Sequence, residues 1–244
     1  MVAPSAALAH DYWLSPDPPA VDGSRRVRLL MGEVLVKEEE RPFVAAAFSR
    51  FVRVSLDRSE DLLSGGESEV VAPRAPTLFV ADRHARIAVL PPEKFEAYLR
   101  EEGLDAIVTD RRGRGESNRP GRERYTRHLK LFVGAPIGSA SGAISKRKFG
   151  QRLEITLTNS DLGKRLEATV TFDGTPLEGA SVAAFVRRNG SVNVQTRRTN
   201  ERGNVIFEAA TGFWNFRLVH MQRCYGCVDA DWESFWASFV VEFR

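Results

Sequence analysis

Four histidines and two cysteines are all the imidazole and thiol that this 244-residue sequence holds. They are unevenly placed. His220, Cys224 and Cys227 fall within one short span, Met221 lies inside it, and Asp229, Asp231 and Glu233 follow directly. This is the densest group of metal-capable side chains in the sequence. Imidazole, amine and carboxylate donors together suit Ni(II), Cu(II), Co(II) or Zn(II), so His220 with Asp231 or Glu233 is a candidate ligand set. Cys224-Tyr225-Gly226-Cys227 has three readings. In an oxidising compartment the pair forms a disulfide that braces its loop. A redox-active pair needs a helix N-terminus to lower a thiol pKa, and none is expected between two strands. Thiolate ligation beside His220 is the third reading, but a closed zinc site also needs a fourth ligand, and there is no second Cys-x-x-Cys.

His10 follows Ala7-Leu8-Ala9, a small-x-small pattern of the kind signal peptidase cuts after. Cleavage there would make His10 the first residue of the mature chain. Its free amine and its own Nδ1 then chelate one metal ion, and a second imidazole, for which His220 is the candidate, completes a three-nitrogen set. The plainer reading is that His10 opens the first strand. His84, in Asp82-Arg83-His84-Ala85-Arg86, reads as solvated, and His128, beside a basic run, as a surface or anion-facing side chain. No Gly-x-Ser-x-Gly elbow, His-Glu-x-x-His or phosphate loop occurs, so no enzyme is expected.

The elements that must position these residues are mostly strands. Short apolar runs (Arg26 to Leu30, Gly32 to Val36, Phe51 to Leu56, Glu69 to Val71, Thr77 to Val80) alternate with turns marked by Pro42, Gly65-Gly66, Pro73 and Pro76. Pro92 to Glu102 is the one predicted helix, opened by Pro91-Pro92, carrying Phe95, Tyr98 and Leu99 on one face, and stopped by Gly103. Asp110 to Arg124 is nearly devoid of apolar residues and reads as an exposed loop. Tyr125 to Val133 is either a helix end or a closing strand. After a Gly-, Ala- and Ser-rich stretch from Gly134 to Gly150, seven more strand-like segments follow: Leu153 to Leu157, Glu167 to Phe172, Ala180 to Arg187, Val192 to Arg197, Asn204 to Phe207, Phe213 to His220 and Trp236 to Phe243. The expectation is a mainly β chain of two antiparallel sandwiches of immunoglobulin or prealbumin type, residues 10–147 and 148–244, with residues 1–9 the remnant of a signal peptide.

Composition limits the partners. The 35 basic residues exceed the 32 acidic ones by three, and only six of the 35 are Lys, so the high pI reflects Arg usage more than a nucleic-acid surface. No apolar run approaches the roughly 18 residues of a membrane-spanning helix.

Several stretches together resemble a known family: His10-Asp11-Tyr12-Trp13-Leu14 with Pro16, Glu93 to Leu99 leading to Glu102-Gly103-Leu104, Gly121 to Tyr125, Leu218-Val219-His220-Met221, and Asp231 to Ser238. They are similar to the exported bacterial NikM-type nickel-uptake proteins. Residues 172–180 and 199–203 also resemble carboxypeptidase-regulatory-like domains, which speaks to fold and not to chemistry. The first resemblance implies a periplasmic or cell-surface, non-enzymatic protein. It would hold nickel, or alternatively cobalt, copper or zinc, through the mature N-terminal His and a second His, beside a membrane metal-uptake complex. Gln222 to Val228, with its two cysteines, departs from the family pattern. Two other functions stay open: a glycan- or protein-binding module without metal, and a copper oxidative enzyme built on the N-terminal histidine.

Overall fold

The computed structural model describes residues 11–65, 69–134, 140–161 and 165–243. His10 lies outside the described residues. The first half contributes β1 (Asp11–Pro16), β2 (Arg25–Glu33), β3 (Lys37–Arg41), β4 (Phe48–Val54), β5 (Ser59–Asp61), β6 (Val70–Ala72), β7 (Thr77–Leu90), helices α1 (Pro92–Glu101) and α2 (Asp105–Gly113), and β8 (Gly121–Val133). The second contributes β9 (Leu153–Asp161), β10 (Arg165–Phe172), β11 (Thr175–Pro176), β12 (Ser181–Arg188), β13 (Ser191–Arg198), β14 (Asn204–Glu208), β15 (Gly212–Arg223) and β16 (Trp232–Phe243). The chain is mainly β, and all seven strands expected after residue 150 are present.

Both halves build one eight-stranded sheet, in the order β13-β12-β15-β16-β8-β7-β4-β5. Its strands are antiparallel except where β16 runs parallel to β8, from Trp232 opposite Glu123 to Val241 opposite Phe132. Two small sheets cover its two faces. On one face, which we call the N-terminal face, β1, β2, β3 and β6 pack Trp13, Leu29 and Leu30 against Phe79, Leu131 and Val240 of the large sheet. On the opposite face, β9, β10, β11 and β14 pack Ile155, Leu166 and Val170 against Leu78, Phe216 and Phe239. The two expected sandwiches therefore share their middle layer. The strand content is as expected, but the halves meet through the β8–β16 ladder instead of standing apart at residue 148. Side chains on both faces of the central strands are covered, so polar residues such as His128, Lys130 and Asn215 are buried there beside the apolar ones.

α1 follows its sequence signals and buries Phe95, Tyr98 and Leu99 against Val219, Met221, Trp232 and Trp236 on the N-terminal face. Gly121 opens β8 beneath it, where a Cβ would sit only 2.2 Å from the Phe95 ring. The expected loop after residue 110 is corrected. A second helix, α2, runs to Gly113, and Arg111 within it is buried. Arg111 donates to the Glu96 carboxylate at 2.8 Å and to the carbonyls of Glu116 and Arg119, so a side chain that reads as solvated pins the connection to β8. β2 likewise ends at Glu33, and the chain turns at Leu35, where φ is +59°, so the strand expected through Val36 stops short.

Candidate functional site

The hairpin joining β15 to β16 carries most of the residues singled out as ligands, and its hydrogen bonds already occupy several of them. Cys224 and Cys227 form a disulfide, with Cα atoms 5.6 Å apart. Their sulfurs are bonded to each other, so neither is a thiolate ligand in this state. The Cys224 amide donates to the Asp231 carbonyl, and the Asp231 amide donates to the Arg122 carbonyl. The Asp231 carboxylate accepts two hydrogen bonds from the Arg122 guanidinium, at 2.7 and 3.0 Å, and these hold its pKa below the ordinary value. Glu233 accepts from the Gln222 amide at 3.3 Å and lies 3.5 Å from Arg152. Both carboxylates serve as clamps on neighbouring strands.

His220 is directed elsewhere. Alternation along β15 places Phe216, Leu218 and His220 on the face covered by β9 and β10, and Arg217, Val219 and Met221 on the N-terminal face. The His220 ring lies 4.4 Å from the Phe172 ring and 6.4 Å from that of Phe235, which Arg152 caps at 4.3 Å. Burial lowers the pKa of this imidazole, and nearby Asp173 only partly offsets it.

A second histidine on this face corrects the sequence reading of a surface or anion-facing side chain: it faces an anion, but in the interior. His128 is buried, its Nδ1 is 2.7 Å from Asp82 Oδ1, and its ring stacks 6.3 Å from Phe235. Asp82 also receives bonds from Arg50 Nε at 2.6 Å and Gln151 Nε2 at 2.7 Å. Burial alone would raise the Asp82 pKa, but the bonds and charges of His128 and Arg50 outweigh it and bring the carboxyl below its usual range. Beside it, Lys130 pairs with Glu154 in full burial. Alternation along β8 separates His128 and Lys130 from Leu129 and Leu131 but carries no sign of burial. His128 and Lys130 look solvent-facing between Leu129 and Leu131, yet the second small sheet covers that face too.

Across the sheet, Asp11 lies 3.2 Å from Arg217 Nε, and Arg217 also pairs bidentately with Glu102 at the end of α1. Burial raises the Asp11 pKa to about 6, Arg217 opposes this, and the charges of Glu102 and Glu101 push it further up. Two carboxylates thus pair with Arg217 where the described chain begins, and the charge of a third, the exposed Glu101, reaches it. This group and His220 belong to opposite faces of one strand, so the sheet itself separates Asp11 from the His220 ring. His84 is exposed, as expected.

The donor chemistry of the hairpin does not fit a closed metal site. Among the described residues, no three His, Cys, Asp or Glu side chains come together closely enough to hold an ion. Among them, too, no helix is long and apolar enough to cross a membrane.

Fold and clusters together define a class: a β-sandwich protein with a shared central sheet, buried ion pairs on both of its faces and a disulfide-closed hairpin at one end. The model of a family described as a domain of unknown function, DUF4198, matches residues 7–222, and the chain belongs to that family. The match ends before the disulfide hairpin and β16. None of the curated proteins matches the chain.

Proposed function

We propose that this is an exported, non-enzymatic protein that binds a divalent transition metal, nickel in the first instance with cobalt, copper or zinc as alternatives, for a membrane uptake system. The observation that carries the reading is the pair Asp11 and Glu102 on Arg217, with the charge of Glu101 added, and with Asp11 next in sequence to His10. Carboxylates in excess of their guanidinium partner favour a cation nearby. A mature chain beginning at His10 supplies an amine and an imidazole, and oxygen donors beside these nitrogens suit Ni(II) or Cu(II). His220, on the far face, is left out of this ligand set. The Cys224–Cys227 disulfide supports an oxidising compartment.

Calorimetric titration of Ni(II) into three forms tests the reading: protein beginning at His10, protein retaining residues 1–9, and the His10 form with His220→Ala. The expected result is one equivalent bound by the first and third, with affinity at least about tenfold weaker in the second, because a blocked amine removes one ligand of the chelate. Equal affinity in the first two forms would overturn the His10 assignment. No binding in any form would overturn the metal reading and leave the metal-free binding module.

A further inference from the structure

One cationic pocket takes no part in the metal reading. β7 and β8 pair regularly to Arg83 opposite Arg127 and then slip, so that the next pair is Arg86 opposite Tyr125. β7 advances three residues there and β8 two, which is a β-bulge. Without it, Arg83 and Arg86 would point to opposite faces. With it, both join Arg127 and Tyr125 on the N-terminal face, and Arg83, His84, Arg86, Arg127, Tyr12 and Tyr125 line a pocket of about 30 Å³.

Placing Arg83 directly across from Arg127 sets two like charges against each other, an arrangement that destabilises a sheet unless something compensates. Part of the compensation is aromatic. Tyr98 stacks on Trp236 at 5.6 Å, Arg127 lies over Trp236 at 4.9 Å and over Tyr12 at 4.7 Å, and Arg83 lies over Tyr12 at 4.5 Å and Phe48 at 5.5 Å. Stacking uses the flat faces of a guanidinium and leaves its N–H edge available. Arg127 is only 5% exposed, and among the described residues it has no hydrogen-bond or ion-pair partner. Arg83, half-buried, and Arg86, exposed, likewise have no hydrogen-bond or ion-pair partner among the described residues. The two carboxylates whose charge reaches Arg127 are engaged elsewhere, Asp11 with Arg217 and Glu123 with Tyr98 and Ser234. The Arg127 nitrogens are not sealed from the pocket, so an anionic acceptor that enters it gains charge-assisted hydrogen bonds without displacing a protein partner.

We infer that Arg83, Arg86 and Arg127, in a pocket also lined by Tyr12, Tyr125 and His84, bind a phosphate or sulfate group. A fork of N–H donors matches the oxygens of a tetrahedral oxyanion. The pocket admits about two or three water-sized atoms, so two or three oxygens of the anion enter while the rest of the group and any larger body stay at its mouth.

The test titrates inorganic phosphate and sulfate into the full chain at constant ionic strength, with chloride as the reference. It compares wild type, Arg83→Gln/Arg86→Gln, and a charge-matched double Arg58→Gln/Arg202→Gln at exposed positions away from the pocket. Parallel flotation uses vesicles of phosphatidylcholine with and without phosphatidylglycerol. Expected is binding by wild type and the control double, weakened about tenfold or more in the pocket double by loss of charge-assisted hydrogen bonds. Binding to free anion identifies a soluble ligand, and binding only to the anionic vesicles identifies a lipid headgroup. Equal binding by both doubles, or none to either probe by wild type, overturns the inference. Arg86→Gln alone, at an exposed position that leaves the stack intact, must show a smaller loss in the same direction, which keeps the test readable if the double does not fold.

Discussion

Arg217 and His220 stand three residues apart on the same strand and meet opposite environments. Arg217 faces Asp11 and Glu102, and although burial alone would lower its pKa, those two carboxylates outweigh it and raise it. His220 faces Phe172 and Phe235, and burial lowers its pKa by more than the charge of Asp173 raises it. The difference lies in the partner and not in the depth. A charge taken out of water with its counter-charge becomes part of the scaffold, and a titratable group taken out of water among rings behaves as an aromatic.

The largest effect that sharpens this contrast is expected from Arg217→Met. It leaves Asp11 and Glu102 largely buried without their shared cation, and breaking such a pair from one side costs about 3–5 kcal/mol, measured by urea denaturation. Adding Asp11→Asn should restore part of the loss. A double no more stable than Arg217→Met would show that Asp11 draws little from the pair.

Next comes Glu123, on the same face as Arg217, where burial raises the pKa although Ser234, Tyr98 and Trp236 hydrogen bonds oppose it. A carboxyl with a raised folded pKa stabilises the fold below its unfolded value, near 4.5, and that contribution is lost as pH rises through the folded value. Wild type should therefore lose stability relative to Glu123→Gln above pH 4.5, with a slope of at most about 1.4 kcal/mol per pH unit. Parallel pH profiles for the two proteins would refute the assignment.

The smallest effect is expected from His220→Phe, below about 1 kcal/mol at neutral pH, because an aromatic ring replaces an uncharged one against Phe172. The sign reverses for a base with a lowered pKa. Its contribution is present above about 6.5 and lost as pH falls toward the folded value, so the variant should gain on wild type under mild acid. A drop of several kcal/mol at neutral pH would mean that His220 holds a bond beyond its aromatic contacts.

Much of the architecture was legible in the sequence for local reasons. Gly and Pro punctuation bounded the strands, and Pro91-Pro92 with Gly103 bounded α1, because backbone restrictions act within a few residues. α2 was missed because Asp105 to Gly113 is short and polar. His128 was misplaced because alternation states which residues share a face but not whether that face is covered. The β-bulge that turns Arg86 toward Arg127 leaves no mark in Arg83-His84-Ala85-Arg86.

By itself, then, the sequence determined the strand content, the closeness of Cys224 to Cys227 and the scarcity of imidazoles, all properties of spacing and composition. Only the tertiary structure decided which side of the sheet each charge occupies. The parallel joining of β8 to β16 brings together segments about a hundred residues apart, and two cover sheets close the two faces of the large sheet. That layering sends His220 among aromatic rings, Arg217 among carboxylates and Arg127 to the wall of an open pocket, since burial and partners depend on what packs from elsewhere in the chain.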